Sequence, residues 1–394
     1  MSTTLVPQAG SGCFLRCPFA PEIELSLHEG LDELEPAAWD ALVAHRGLYL
    51  QRRFLEPLDR GCEEVRYAAF RKEHRLLGVA RFERARFTGP SVLPLLGEGE
   101  WARWAARSVG LDKPVQTWAW ICGSAFFGCE HGFAFSDELD RGEALQLLRR
   151  ALSELQRDAP APNLLFKEFL GEAPLPLSEL GCAEMQGGHR MVLELDPAWG
   201  SYDDYLASLR SKFRVKARRA DSMSAALHVR ELELAELWVH QERVQELLDQ
   251  VCAKADYQLG CVSVASITAL RARLGPELHL RGYFLDGRLV GFLSAFERGD
   301  TLDAHLVGLD YSVARQHGIY PRMLVDFLRI GLERGLERID YGRAAEDIKS
   351  TLGARPVPTT VFLRHRNALV NPVLGLVARS VRLDEPKLRA PFKA

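Results

Sequence analysis

The chain has 394 residues, 47% of them hydrophobic and 26% charged, with a formal net charge of −3. That length exceeds one ordinary core, so two domains are expected, and the composition is globular. The near-balanced charge argues against a general nucleic-acid binder and against DNA as a partner, while leaving room for a local basic patch.

Cys13, Cys17, Cys62, Cys122, Cys129, Cys182, Cys252 and Cys261 are scattered. They form no Cys-x-x-Cys pair and no Cys/His group with zinc spacing, so no metal is expected. Several sit in apolar runs, as buried thiols do, which points to a reduced, cytoplasmic protein. Met1–Gly12 is polar and lacks a basic n-region, so it does not read as a signal peptide. No apolar run approaches the ~20 residues needed to span a bilayer. Contact with a membrane surface stays open.

Residues 1–19 read as a flexible start. A helix follows over roughly Leu31–Arg46, with Phe54 near the next one. Val65–Phe70 and Leu76–Arg84 alternate like two strands joined by the charged turn Arg71–Arg75. Gly89–Leu96 is a turn-rich insertion, and Trp101–Ile121 mixes a short helix with a buried strand. The Trp/Phe-rich tract Trp101–Phe135 reads as first-domain core; its glycines form no nucleotide fingerprint. Asp137–Arg157 is an amphipathic helix with Leu145, Leu148, Leu152 and Leu155 on one face. Asn163–Phe169 is a strand. The domain boundary falls near Glu184–Asp204, where the strand Met191–Leu195 gives way to turn residues and a helix from Tyr202 to Ala220. The expected domains are 20–190 and 191–385, followed by a loose tail, 386–394.

The second half predicts a hairpin (Leu280–Glu297, turned at Asp286-Gly287), a strand (Thr301–Leu309), a loop (Asp310–Ile319) and a helix from Tyr320 to about Gly335. A strand (Arg338–Gly342), a short helical segment and a last strand (Val361–Arg364) complete it. The first half echoes this order. Arg75-Leu76-Leu77-Gly78-Val79 leads to Phe82-Glu83-Arg84, as Arg288-Leu289-Val290-Gly291-Phe292 leads to Phe296-Glu297-Arg298. A repeat about 200 residues apart implies two similar domains rather than a solenoid.

Candidate chemistry clusters in the second half. Arg315 and Gly318, with the amides of Ile319 and Tyr320, stand between a strand and a helix N-terminus, a place that favours phosphate. In that helix Arg322, Asp326, Arg329 and Glu333 are expected to face water. Transfer chemistry in general needs a base, a donor for developing negative charge and tight positioning. Asp303 and His305, two apart on one strand, are expected to share a face, and Glu297 ends the preceding strand. Each is a candidate base, His305 having the best-matched ordinary pKa. Asp340, Tyr341 and Arg343 end a strand whose carboxyl end is a place for a ligand, where Tyr341 could give up a proton to a leaving group. Glu346 and Lys349 are spaced as a helical ion pair. Six cations lie between Arg210 and Arg219. Arg214, Lys216 and Arg218 among them suit a phosphate-bearing ligand: tRNA, a nucleotide-linked acceptor, carrier phosphopantetheine or anionic lipid. The alternative is a solvated helix paired with the acidic run Glu231–Glu236.

The order strand, Arg-x-x-Gly turn, helix, strand resembles the catalytic half of a GNAT-type acyltransferase, which binds the pyrophosphate of coenzyme A at that turn. Two strings resemble the two-domain FemAB-type relatives of that superfamily. The first is Tyr202-x-x-Tyr205-Leu206-x-x-Leu209-x-x-Lys212-Phe213-Arg214-x-Lys216-x-Arg218-Arg219. The second runs from Gly308-Leu309-Asp310 through Gly318-Ile319-Tyr320 and Arg338-Ile339-Asp340-Tyr341-Gly342-Arg343 to Glu346-x-x-Lys349-x-x-Leu352-Gly353-Ala354. The resemblance implies an α/β (α+β) fold of two tandem GNAT-like domains, each a mixed, mainly antiparallel sheet flanked by helices, with the catalytic site in the second domain and the first domain degenerate. It implies an acyl-CoA, acetyl-CoA included, as co-substrate rather than a permanently bound cofactor, and a small-molecule or envelope-related amine as acceptor. An acyl carrier protein could present the same arm. It also implies that Lys349 lies near the transferred acyl group. Tyr320 departs from the small residue usual at the turn. That keeps two alternatives open: aminoacyl-tRNA as donor, or a non-catalytic binding protein.

Overall fold

The computed structural model describes residues 15–17, 20–88, 116–128, 132–254, 262–380 and 388–393. Most of the expected flexible start, the Gly89–Leu96 insertion, most of Trp101–Ile121, and Cys13, Cys129 and Cys261 lie outside the described residues. The strands are β1 (Leu15–Cys17), β2 (Ala20–His28), β3 (Glu64–Lys72), β4 (Arg75–Thr88), β5 (Gln116–Cys122), β6 (Phe133–Phe135), β7 (Asn163–Leu170), β8 (Ala183–Glu194), β9 (His228–Glu231), β10 (Leu278–Leu285), β11 (Arg288–Arg298), β12 (Thr301–Leu309), β13 (Arg338–Asp340) and β14 (Arg355–His365). The helices are α1 (Pro36–Val43), α2 (Arg52–Asp59), α3 (Arg141–Asp158), α4 (Tyr202–Ser208), α5 (Ser211–Met223), α6 (Leu234–Val239), α7 (Gln241–Cys252), α8 (Val264–Leu274), α9 (Tyr311–Ala314), α10 (Ile319–Glu333), α11 (Glu346–Ser350) and α12 (Asn371–Ser380).

The chain divides into two compact units. Among the described residues, unit one holds those up to Gly187 and those from Thr359 to Ser380; unit two holds the rest. In unit one, β1, β2, β3, β4, β5, β7 and the end of β14 lie side by side, with β6 beside β4. β2 through β5 pair antiparallel in sequence, and β5–β7 is a parallel pair whose crossover includes α3. Leu145, Leu148, Leu152 and Leu155 of α3 bury against Phe70, Phe82, Trp120 and Phe166, as the helical periodicity dictates.

Unit two repeats the plan in the order β8, β13, β12, β11, β10, β9. β12–β13 is its parallel pair, and α10 forms the crossover. Met323, Leu324, Phe327 and Leu328 of α10 pack with Leu293, Ala295 and Ile339 of the sheet. The glycines of the sequence echo have one packing cause. A Cβ on Gly78 would stand 2.4 Å from Phe135 Cδ1, and one on Gly291 2.8 Å from Met323 Cε. In each unit a bulky side chain crosses the strand at that point, so only glycine fits.

Four expectations need correction. The basic helix is two helices, α4 and α5, parted at Leu209-Arg210, where the chain end docks: Arg210 N donates to Pro391 O at 2.8 Å and Lys393 N to Ser208 O at 3.0 Å. The same contacts hold residues 388–393, which were expected to be loose. The helix expected over Leu31–Arg46 is a 3-10 turn, Leu31–Glu33, and then α1, which starts at Pro36 because proline suits a first helical position. Asp326 does not face water: it is fully buried. It accepts a hydrogen bond from Tyr283 Oη at 2.8 Å and ion-pairs with Arg322 at 2.8 Å and Arg329 at 2.9 Å.

No helix of the described residues is long and apolar enough to cross a membrane. Cys62, Cys122, Cys182 and Cys252 are free thiols.

Candidate active site

The site in unit two follows from how its parallel strands part. β12 and β13 pair over Thr301↔Arg338, Leu302↔Ile339 and Asp303↔Asp340. Beyond that, Tyr341 N donates to Met191 O at 2.9 Å and Met191 N to Gly342 O at 3.0 Å. The chain thus follows β8 while β12 runs on to Leu309. A gap opens between the two parallel strands at their carboxyl ends, where α/β sheets take ligands.

β12 carries a bulge at the same level. Ser294 of β11 faces Leu306 but the next residue, Ala295, faces Ala304, so His305 is the extra residue. Asp303 pairs opposite Phe296, and His305 lies against Ser294 and Phe296, so the two share a face as their spacing predicts; the bulge shifts the alternation only after His305. His305 Nδ1 lies 3.1 Å from Ser294 Oγ, and its ring packs 4.7 Å from Phe296. Burial pushes the imidazole down to about 3, so it is neutral and a weak base at pH 7. Asp303 is buried and ion-paired with Arg298 at 2.8 Å. Glu297 is held by Arg334 at 2.6 Å and His279 at 2.7 Å; although burial pulls its carboxyl up, these partners hold it below its usual range. The structure therefore engages all three candidate bases with other groups.

Tyr341 belongs to the core: its hydroxyl donates to Leu324 O at 3.1 Å, and burial pushes its pKa far up. It is not placed to protonate a leaving group. Asp340 takes Arg190 Nε at 2.6 Å, a pairing with no local signal in the sequence. The Arg343 guanidinium packs over Gly188.

Lys349 is buried and does not pair with Glu346 as helical spacing suggests. Its Nζ donates to the carbonyls of Tyr341 at 2.7 Å, Gly342 at 3.3 Å and Arg343 at 2.5 Å. Gly342, Ala344 and Ala345 all have left-handed backbone, φ 69°, 59° and 53°, which curls these carbonyls onto one point. Such a conformation is strained for alanine and persists only when its surroundings impose it. An ammonium has three protons, and three carbonyls take them. Burial pushes Lys349 down to about 7, against the opposing pull of Asp340.

The turn after β12 is built by Asp310. Its carboxylate caps α9 through Ser312 N at 3.1 Å and accepts from Arg243 at 2.5 Å and Arg288 at 3.1 Å. Gly318 caps α10 with φ 55° and ψ 35°, and a Cβ there would stand 3.0 Å from Met223 Cβ. Glycine is therefore required twice over, by conformation and by contact. The amides of Ile319 and Tyr320 open the helix, and Arg315 is exposed on the turn. Pro321 at the third position has no N–H, a sequence signal overlooked above, so the first turn offers two amides instead of three. The Tyr320 ring is half-buried; burial, and then Tyr311, push its hydroxyl up to about 12.

The cations of α5 do not pair with the acidic run. Glu231 is taken by Arg281 at 3.0 Å and Glu236 by Arg230. Lys216 and Arg218 are exposed and Arg214 is half-buried.

Unit one closes the equivalent places. Asp140 and Glu143 form a reciprocal cap on α3, at 2.8 and 3.0 Å, so carboxylates occupy the helix start that an anion would need. Beside the β5–β7 pair, Lys167 Nζ donates to Ala125 O at 2.6 Å, and the fully buried Arg81 pairs with Asp59 at 2.6 Å and Glu83 at 3.0 Å. Among the described residues, no cluster of His, Cys, Asp and Glu could hold a metal ion.

No protein-family model matches the chain, and no curated protein matches it. Solved structures do. A tandem GNAT protein from the clavulanic acid biosynthesis pathway is similar over 87% of this chain and 98% of its own, at 13% identity and a TM-score of 0.52. FemX is similar over 87% of this chain and 98% of its own, at 11% identity and a TM-score of 0.52. L-PGS from Bacillus licheniformis is similar over 88% of this chain and 96% of its own, at 12% identity and a TM-score of 0.50. At these identities the likeness is one of fold, and the fold is the tandem GNAT arrangement.

Proposed function

We propose that this tandem GNAT-fold chain is an N-acyltransferase whose second unit takes an acyl-CoA, or the same phosphopantetheine arm on a carrier protein, and acylates a primary amine. The observation that carries the reading is the parting of β12 and β13 next to a glycine-capped helix start. An extended pantetheine arm suits the gap between strands. The Ile319 and Tyr320 amides and Arg315 suit its phosphates. In the reaction the amine nitrogen attacks the thioester carbonyl, a C–N bond forms, the C–S bond breaks with its electron pair leaving on the pantetheine sulfur as thiolate, and the amine's proton leaves to solvent. With His305, Asp303 and Glu297 engaged elsewhere, the acceleration comes from positioning a neutral amine against the carbonyl. Lys349 acts as a positioning residue by fixing the 341–343 turn. The carboxylate-capped helix start of unit one supports a single donor site per chain.

A second reading has its own support. Tyr320 and Pro321 narrow the phosphate seat and remove one amide, which favours a donor whose phosphates bind elsewhere, such as an aminoacyl-tRNA.

Thermal unfolding with coenzyme A, acetyl-CoA and a long-chain acyl-CoA tests this. A ligand at ~100 times its dissociation constant adds about 2.7 kcal/mol. The expected result is a shift that Arg315→Ala abolishes. No shift with any of them rejects the coenzyme A reading, and charged tRNA becomes the next ligand.

A further inference from the structure

Helix α5 carries an exposed cationic face on a rigid support. Arg210 at its start and Lys212, Lys216, Arg218 and Arg219 along it are exposed, and no ion pair to any of them forms among the described residues. Val215, in their midst, is 62% exposed. It stands three residues from Lys212 and Arg218 and four from Arg219, so these cations ring it on one helical surface. The opposite side is anchored. Phe213, Ala217 and Ala220 are buried, and Asp221 accepts from Arg329 at 2.7 Å and from Tyr202 Oη at 3.3 Å.

We propose that this face docks unit two onto a bilayer containing anionic lipid, with Val215 entering the interfacial layer. The proposal does not depend on the acyl-transfer reading. A straight helix about 20 Å long presents its cations to a plane together, which suits a membrane surface. Nucleic acid fits less well. No aromatic side chain stands among the exposed residues of α5 to stack on bases, and an exposed valine gains nothing from phosphates. The net charge of −3 makes the attraction a property of this patch rather than of the whole chain.

The test is co-sedimentation of the full chain with vesicles of phosphatidylcholine alone and of an equal mixture with phosphatidylglycerol, at ~0.1 M and ~1 M salt. Binding is expected only with the mixed vesicles, and is lost at the higher salt. Each cation near such a surface contributes about fivefold, so Lys212→Ser/Lys216→Ser/Arg219→Ser together weaken binding about 100-fold. Val215→Ser weakens it several-fold at unchanged salt dependence. Circular dichroism checks that the triple variant is folded; if it is not, Arg218→Ser alone, with an expected fivefold loss, replaces it. Equal binding to both vesicle types, no binding at low salt, or parental binding by the folded variant overturns the proposal. Binding to bulk tRNA tighter than to vesicles, and lost in the same variant, overturns it in favour of a nucleic-acid surface.

Discussion

The Nζ of Lys349 lies 2.7 Å from the carbonyl oxygen of Tyr341, at the point where β13 leaves its parallel partner. One buried amine thereby gathers the carbonyls of the turn that bounds the candidate site. Its depressed pKa gives the clamp a pH dependence. Below about 7 the ammonium is charged in both folded and unfolded chains, and its burial penalty is present in full. Between about 7 and 10.5 the unfolded chain binds the extra proton, so stability rises with pH. The slope from this group is at most about 1.4 kcal/mol per pH unit. Urea unfolding across this range should show that rise in the parent and a flatter profile in Lys349→Met. Parallel profiles would contradict the assignment.

His305 should stay neutral throughout the physiological range, because burial holds it at about 3. Its imidazole proton resonances are expected not to titrate between pH ~5 and ~8. If a pH–rate profile shows an inflection near neutrality, His305→Asn should leave that inflection where it is. A titrating His305 resonance in this range would restore it as a base.

Asp326 anchors α10 to the sheet through Tyr283, Arg322 and Arg329. Asp326→Ala leaves two guanidinium groups without their buried partner and should cost about 3–5 kcal/mol. Asp326→Leu combined with Tyr283→Phe, which removes the orphaned hydroxyl as well, should recover part of that loss. Denaturant midpoints measure both. A cost within the range of ordinary surface substitutions would mean that Asp326 is solvated.

Gly318→Ala should destabilise the chain by about 1–2 kcal/mol from the left-handed backbone alone. Contact of the new methyl with Met223, 3.0 Å away, adds to it. Gly318→Ala/Met223→Ala should relieve the contact but not the backbone cost. Donor binding, read by the same thermal shift, should fall in both variants because the Ile319 and Tyr320 amides move with the cap. Unchanged stability in Gly318→Ala would show that the cap is not held in this conformation.

Much of the fold was legible because the patterns that encode it are local. The leucine stripe of α3, the alternation of β3 and β4, and the turn at Asp286-Gly287 each lie within a few residues of chain. The repeat of Gly78 and Gly291 is likewise written in the sequence, since both units cross a strand with a bulky side chain at the same step. The Gly318 turn, the basic surface and the proline that narrows the anion seat are readable from the residues in order.

The site chemistry is different, because it depends on which distant groups meet. Asp326 has the spacing of a surface carboxylate, and only Tyr283 and two arginines explain its burial. Lys349 has the spacing of an ion pair with Glu346, yet a turn with three left-handed residues brings carbonyls within its reach. The period of two put His305 on the face of Asp303, but its burial against Phe296, which makes it a weak base, comes from the neighbouring strand. Arg190 meets Asp340 only once β8 and β13 pair. Periodicity fixes which face a residue has in a regular element. Partners far along the chain, and the irregularities that shift a face, are decided by packing, and with them the charge and reach of every group in the site.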